Sequence, residues 1–128
     1  MAKRLLLDTH ALIWALAGPD VLDRRARRAI EDPNNAVLVS PASLYEINLK
    51  IALGKLAAPS VDLLERIDAT GFSAMPIRLD HAALAGRLPF HHRDPFDRLL
   101  IAQAHLEGLT LVSRDVHLAA YGIEVLPC

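Results

Sequence analysis

A single cysteine, Cys128, occurs in 128 residues, so the chain has no intramolecular disulfide and no cysteine metal cluster, and a reducing, cytoplasmic setting fits. Aromatic residues make up only 5% of it although hydrophobic residues reach 52%. The core must therefore be built from Leu, Ile, Val and Ala, and an apolar fraction at or above the usual range leaves helical surface for a partner to cover. A basic excess is missing too. Lys and Arg number 14 against 15 Asp and Glu, a net charge of -1, which excludes a global basic field that holds nucleic acid without specificity. No stretch approaches the ~20 apolar residues needed to cross a bilayer. The opening MAKRLLLDTHALIWALAG has the charged start of a signal peptide, but Asp8 and His10 interrupt its apolar run, and it reads better as a strand and helix. Repeats, low-complexity segments and linkers are absent, and the length suits one domain, residues 1–128, around one core.

What is present alternates between strand and helix from end to end. Strands are expected at residues 4–7 (RLLL), 36–39 (AVLV), 73–77, 110–113 (TLVS) and 123–126. Between them the apolar spacing and punctuation predict helices over 9–17, stopped by Gly18-Pro19; 21–31, with an arginine-rich solvated face; and 41–53, started by Ser40-Pro41. Further helices are expected over 60–70, capped by Ser60; 81–88, capped by Asp80; 95–107, ended by Gly108; and 115–120. This order predicts an α/β domain with a mainly parallel sheet of about five strands flanked by helices.

In open parallel sheets the ligand collects in the crevice beyond the carboxyl ends of the strands. Asp8 stands directly after the first strand and Asp115 just after the fourth; Glu46 lies about two turns into the helix leaving the second strand, and Asp97 in the first turn of the helix beginning at Pro95. Each acid has a bland reading. Asp8 ends a strand, Asp115 caps a short helix, and Asp97 reaches back to Asp94 as a capping partner. Glu46 resists such a reading, because SLYEINLKIAL is apolar on most sides and a buried acid needs a partner or a metal. One shared cause is simpler than four separate ones. Neighbouring carboxylates oppose one another's ionisation, and a divalent cation resolves the conflict. An all-oxygen set favours Mg²⁺ or Mn²⁺, whereas His91-His92 lack the spacing of a zinc motif and read as solvated or substrate-facing.

Such a site suits phosphodiester hydrolysis without a histidine base. Arg98, Arg114, Lys50 and Arg93 are the candidate phosphate-orienting residues, and Thr9 and Ser113 the candidate hydroxyls holding waters or carboxylates.

The ordered set LLLDTHALIW, SLYEINLKIALGKL, HHRDPFDRLLIAQA, then LVSRD with YGIEVLP resembles the PIN-domain ribonucleases, specifically the VapC-type toxins of bacterial toxin–antitoxin pairs, over essentially the whole chain. The resemblance implies a metal-dependent endoribonuclease whose family acids match Asp8, Glu46, Asp97 and Asp115. It also implies a homodimer and a cognate antitoxin. Tyr45 stands where relatives often carry Trp. Asp94 recurs in this subgroup as cap or ligand; we read it as the cap and Asp97 as the ligand. A phosphatase of the HAD type needs a second Asp two positions after the first, where this chain has His10. A PIN-type DNA nuclease and a non-catalytic domain that binds nucleic acid or antitoxin are the other readings.

Overall fold

A computed structural model describes residues 2–128. Five strands, β1 (Arg4–Leu7), β2 (Ala36–Val39), β3 (Ser73–Ala74), β4 (Thr110–Val112) and β5 (Val125–Leu126), form one sheet in the order β3-β2-β1-β4-β5. Every pairing is parallel, with Leu6 level with both Leu38 and Leu111. A parallel sheet needs crossover helices, and these cover both faces. They are α1 (Thr9–Ala17), α2 (Arg24–Glu31), α3 (Pro41–Ala52), α4 (Leu63–Thr70), α5 (Leu79–Arg87) and α6 (Pro95–Glu107).

The alternation of strand side chains divides the core in two. Leu5, Leu7, Val37, Val39 and Val112 pack with Ala11 and Leu12 of α1, Ala26 of α2, Ile47 of α3 and Leu63 and Ile67 of α4. Leu6, Leu38 and Leu111 pack on the opposite face with Leu100, Ile101 and Ala104 of α6. Leu5, Leu6 and Leu7 have no exposure at all. Each fully buried leucine contributes roughly 1.5–3 kcal/mol, so this run anchors the sheet from its centre.

The expected elements are found with shifted ends. The helix expected from Ser60 starts at Leu63, because Asp62 rather than Ser60 accepts the Glu65 N–H and so makes the cap. The helix expected after Asp80 starts earlier, at Leu79; Asp80 lies inside its first turn, where it accepts the His81 N–H and pairs with Arg78. The strand expected to reach Ile77 pairs only over Ser73–Ala74. Met75 N–H still bonds the Val39 carbonyl, but Pro76 has no N–H to continue the ladder. The arginine-rich segment splits into a 3₁₀ turn at Pro19–Val21 and α2, which Asp23 caps. Val116–Tyr121 is a 3₁₀ turn capped by Asp115. Among the described residues no helix is long and apolar enough to cross a membrane.

From β1 the chain winds outward through β2 to β3, then returns to the other side of β1 as β4 and β5. The winding reverses between β1 and β4, and a crevice opens there beyond the strand ends. The Asp8 N–H donates to the Val112 carbonyl at 3.0 Å, which ties the two strand ends together at its floor.

Candidate active site

A cavity of about 170 Å³ occupies this crevice, lined by Asp8, Thr9, His10, Glu46, Lys50, Asp94, Asp97, Ser113, Arg114 and Asp115. A larger hollow of about 340 Å³ lies under α2 between Ala15, Leu22, Ile30 and Phe72, with only the Arg27–Glu31 ion pair and Thr70 as polar lining. Its size is greater, but the chemistry is in the crevice.

Each acid arrives from a different segment. Asp8 leaves the end of β1 and caps α1, one carboxylate oxygen accepting the Ala11 N–H at 2.8 Å. Burial raises its pKa above the ordinary carboxylate value, opposed by the Ala11 amide and the Ser113 hydroxyl. Glu46 lies on the buried side of α3, 5% exposed. Its two oxygens are held by Thr9 Oγ1 at 2.5 Å and Lys50 Nζ at 2.7 Å. The bond to Glu46 raises the Lys50 pKa. A buried carboxylate without such partners would be strongly disfavoured.

Asp94 caps α6, accepting from Phe96 N at 2.9 Å and Asp97 N at 3.4 Å, with Pro95 at the first helical position. Asp97 makes no return bond to Asp94. Its Oδ2 lies 2.6 Å from His92 Nε2. Burial foremost, then the Asp94 and Asp8 charges, push its pKa up to about 6 in spite of His92. Asp115 caps the 3₁₀ turn by accepting the His117 N–H and donates its own backbone N–H to Ser113 Oγ.

The crevice thus brings together Asp8, Glu46, Asp97 and Asp115, with Asp94 beside them and Thr9, Lys50, Ser113 and Arg114 from the expected supporting set. Two expected phosphate contacts lie elsewhere. Arg93 is exposed on the loop before α6 and is not part of the lining. Arg98 is 6% exposed and gives its donors to the carbonyls of Ala85, Leu88, Pro89 and His92. With every nitrogen, and four of its five N–H donors, committed to backbone carbonyls, it staples a loop and is not part of the cavity lining.

Sequence reasoning missed the role of His92. It treated the histidine pair as solvated or substrate-facing, because no spacing rule links a loop residue to a helical one five positions on, across a proline. His10 was also missed; its ring stands 5.7 Å from Trp14, over which Arg114 lies at 5.4 Å.

The donor set suits a hard cation, being carboxylates with two hydroxyls and no cysteine. Burial is the main cause that raises the pKa values of Asp8 and Asp97, and a cation beside them would offset that cost of ionisation. As placed, each acid is engaged with a protein partner, and among the described residues no three His, Cys, Asp or Glu side chains converge closely enough to hold an ion.

The PIN domain family model matches residues 5–124. Among solved structures, a chain of VapBC2 from Rickettsia felis, bound to a DNA fragment from the promoter, superposes with a TM-score of 0.72 at 16% identity, covering 98% of each chain. DNA-bound VapBC from Salmonella typhimurium gives 0.69 at 19% identity over 99% of this chain and 98% of that one. VapBC-5 from Mycobacterium tuberculosis gives 0.59 at 20% identity over 98% and 99%. No curated protein sequence matches. At these identities the structural likeness speaks for the fold alone, and the family model, spanning nearly all of the chain, places it: the chain belongs to the PIN-domain family.

Proposed function

We propose that the chain, acting as one domain over residues 1–128, is a VapC-type toxin: a Mg²⁺- or Mn²⁺-dependent endoribonuclease of the cytoplasm, a homodimer, held inactive by a cognate antitoxin. The observation that carries this is the delivery of Asp8, Glu46, Asp97 and Asp115, from four segments, into one crevice at the switch point of a parallel sheet. That structures from VapBC complexes share the fold supports an antitoxin partner. Exposed Leu79, Phe90, Tyr45 and Leu53 offer apolar surface for such interfaces.

Asp8, Glu46, Asp97 and Asp115 would hold the cation. When bound, it supplies a water activated for attack and compensates the charge that builds on the phosphoryl oxygens. The chain's own groups do the rest. Thr9 fixes the Glu46 carboxylate, and the Ser113 hydroxyl anchors the backbone of Asp115. Lys50 and Arg114, both on the lining, bring positive charge to meet a phosphate. RNA is favoured over DNA by the resemblance to VapC-type toxins.

The test is incubation of the purified chain, free of antitoxin, with labelled RNA and, separately, DNA, each with Mg²⁺, Mn²⁺ or chelator, beside Asp8→Asn and Asp97→Asn variants. RNA cleavage that needs metal and is lost in both variants is expected. Cleavage of DNA alone would replace the substrate. Full activity of either variant would overturn the site, and a folded chain that binds RNA but never cuts it would make this a binding domain.

A further inference from the structure

The loop between α5 and α6, residues 88–94, is held far more firmly than a connection of that length requires. Arg98, buried in the first turns of α6, donates Nε to the Ala85 carbonyl at 3.1 Å, Nη2 to Leu88 at 2.7 Å, and Nη1 to both Pro89 and His92 at 3.1 Å. From the other side the Tyr121 hydroxyl accepts the His92 N–H at 2.8 Å and donates to the Pro89 carbonyl at 2.7 Å. Phe90 stacks on the Arg98 guanidinium at 4.4 Å, and His91 packs edge-on against Tyr121 at 5.0 Å. Both backbone groups of His92 are therefore fixed by side chains of other elements, its carbonyl by Arg98 of α6 and its N–H by Tyr121 of the 3₁₀ turn. A residue so constrained presents its ring in one orientation, and that ring meets Asp97 at 2.6 Å.

The contact has a definite chemistry. An ionised carboxylate only accepts hydrogen bonds, so toward ionised Asp97 it is His92 that donates, through Nε2–H. Asp97 Oδ2 is taken by this bond, and no protein donor bonds Oδ1 within the described residues. One oxygen is thus anchored to the loop and the other left for the crevice, whose lining includes Asp97 but not His92.

We propose that His92 is a positioning residue: by donating to Asp97 Oδ2 it fixes the plane of that carboxylate and aims the remaining oxygen at the cation. This rests on the reading of Asp97 as a metal ligand. Partners of this kind orient metal-binding groups, and their loss typically lowers metal affinity or activity by roughly 10- to 100-fold. Tyr121 and Arg98 support His92 in turn, one step further from the crevice.

The test is Mn²⁺ binding to the purified chain, followed by calorimetry and by the spin resonance of the bound ion, for the wild type, His92→Ala, His92→Gln, Tyr121→Phe and Asp97→Asn, each checked for folding by circular dichroism. His92→Ala should raise the Mn²⁺ dissociation constant by roughly 10- to 100-fold. His92→Gln, whose amide N–H can reach the same oxygen, should restore affinity to within a few-fold of wild type. Tyr121→Phe, which frees the His92 backbone, should fall between them; it and His92→Gln carry the test should His92→Ala not fold. Wild-type affinity in His92→Ala, with affinity lost in Asp97→Asn, would overturn the positioning role and leave the site intact. Equal weakening in His92→Ala and His92→Gln would show that ring packing, not the donor, acts, and would overturn it as well. Unchanged binding in Asp97→Asn would overturn the ligand assignment and this inference together.

Discussion

Replacing Asp97 by Asn should weaken cation binding and yet make the metal-free fold more stable at neutral pH. Burial, followed by the Asp94 and Asp8 charges, moves the Asp97 carboxyl from an ordinary 3.8 to about 6. Between those two values the native state keeps a proton that the unfolded chain has released. The stability linked to this proton is therefore complete below about pH 4 and is lost as pH rises through about 6. Two pH units correspond to about 3 kcal/mol. The side chain is 27% exposed, and solvent screening reduces the expected effect to roughly 1–2 kcal/mol. For a domain of this length each kcal/mol moves the melting midpoint by about 4 °C. In chelator near neutral pH, Asp97→Asn should melt about 4–8 °C above wild type, and the difference should vanish near the ordinary carboxylate pKa. Mn²⁺ should then raise the wild-type midpoint and move the variant far less, since a ligand stabilises only the state that binds it. A variant that melts at or below wild type in neutral chelator, or a difference independent of pH, would refute the reasoning.

Arg98→Met should lower stability by about 3 kcal/mol or more in urea denaturation, because four carbonyls lose an Arg98 donor, two of these bonds lie buried away from water, and among the described residues Pro89 alone keeps another side-chain donor, Tyr121. A loss under about 1 kcal/mol would contradict the staple role. Lys50→Met leaves Glu46 buried with only Thr9 to meet its charge; with the lysine itself 38% exposed, a loss of roughly 1–3 kcal/mol is expected in thermal melts, and an unchanged midpoint would mean that the pair contributes nothing. The Cys128 thiol is pushed up to about 12 by burial, then by the Asp8 charge. Thiolate is the reactive form, so alkylation in mildly alkaline buffer should be far slower in the folded chain than in denaturant, and equal rates would refute its half-buried placement.

Most of the architecture was legible because the signals were local. Three consecutive leucines after Arg4 have no exposed alternative in a chain of this composition, and Asp94-Pro95 at one end with Gly108 at the other bound α6 by capping chemistry alone. Gly108 takes φ +66, a backbone region that L side chains rarely adopt, so that helix end could be read from one letter. Ends failed where two caps competed, as Asp62 did with Ser60, or where a strand stopped for want of a donor, as at Pro76. Within the crevice the acids were recognisable from their places after strands and in helix first turns, whereas Arg98 was misjudged. Next to Asp97 in sequence, it projects a different way on the helix and into protein.

The sequence by itself determined an α/β chain of alternating strands and helices, and it marked the acids and caps, since these depend on spacing and on local hydrogen bonds. Only the tertiary structure decided the strand order β3-β2-β1-β4-β5 and the reversal between β1 and β4 that gathers Asp8, Glu46, Asp97 and Asp115 in one crevice. The tertiary structure also decided which bases line the crevice: Lys50 and Arg114 reach the cavity, Arg98 turns to carbonyls, and His92 turns to Asp97. The reason is physical. A charged side chain takes whichever partner packing brings within about 3 Å, and for these residues that partner comes from loops and helices whose meeting no local pattern encodes.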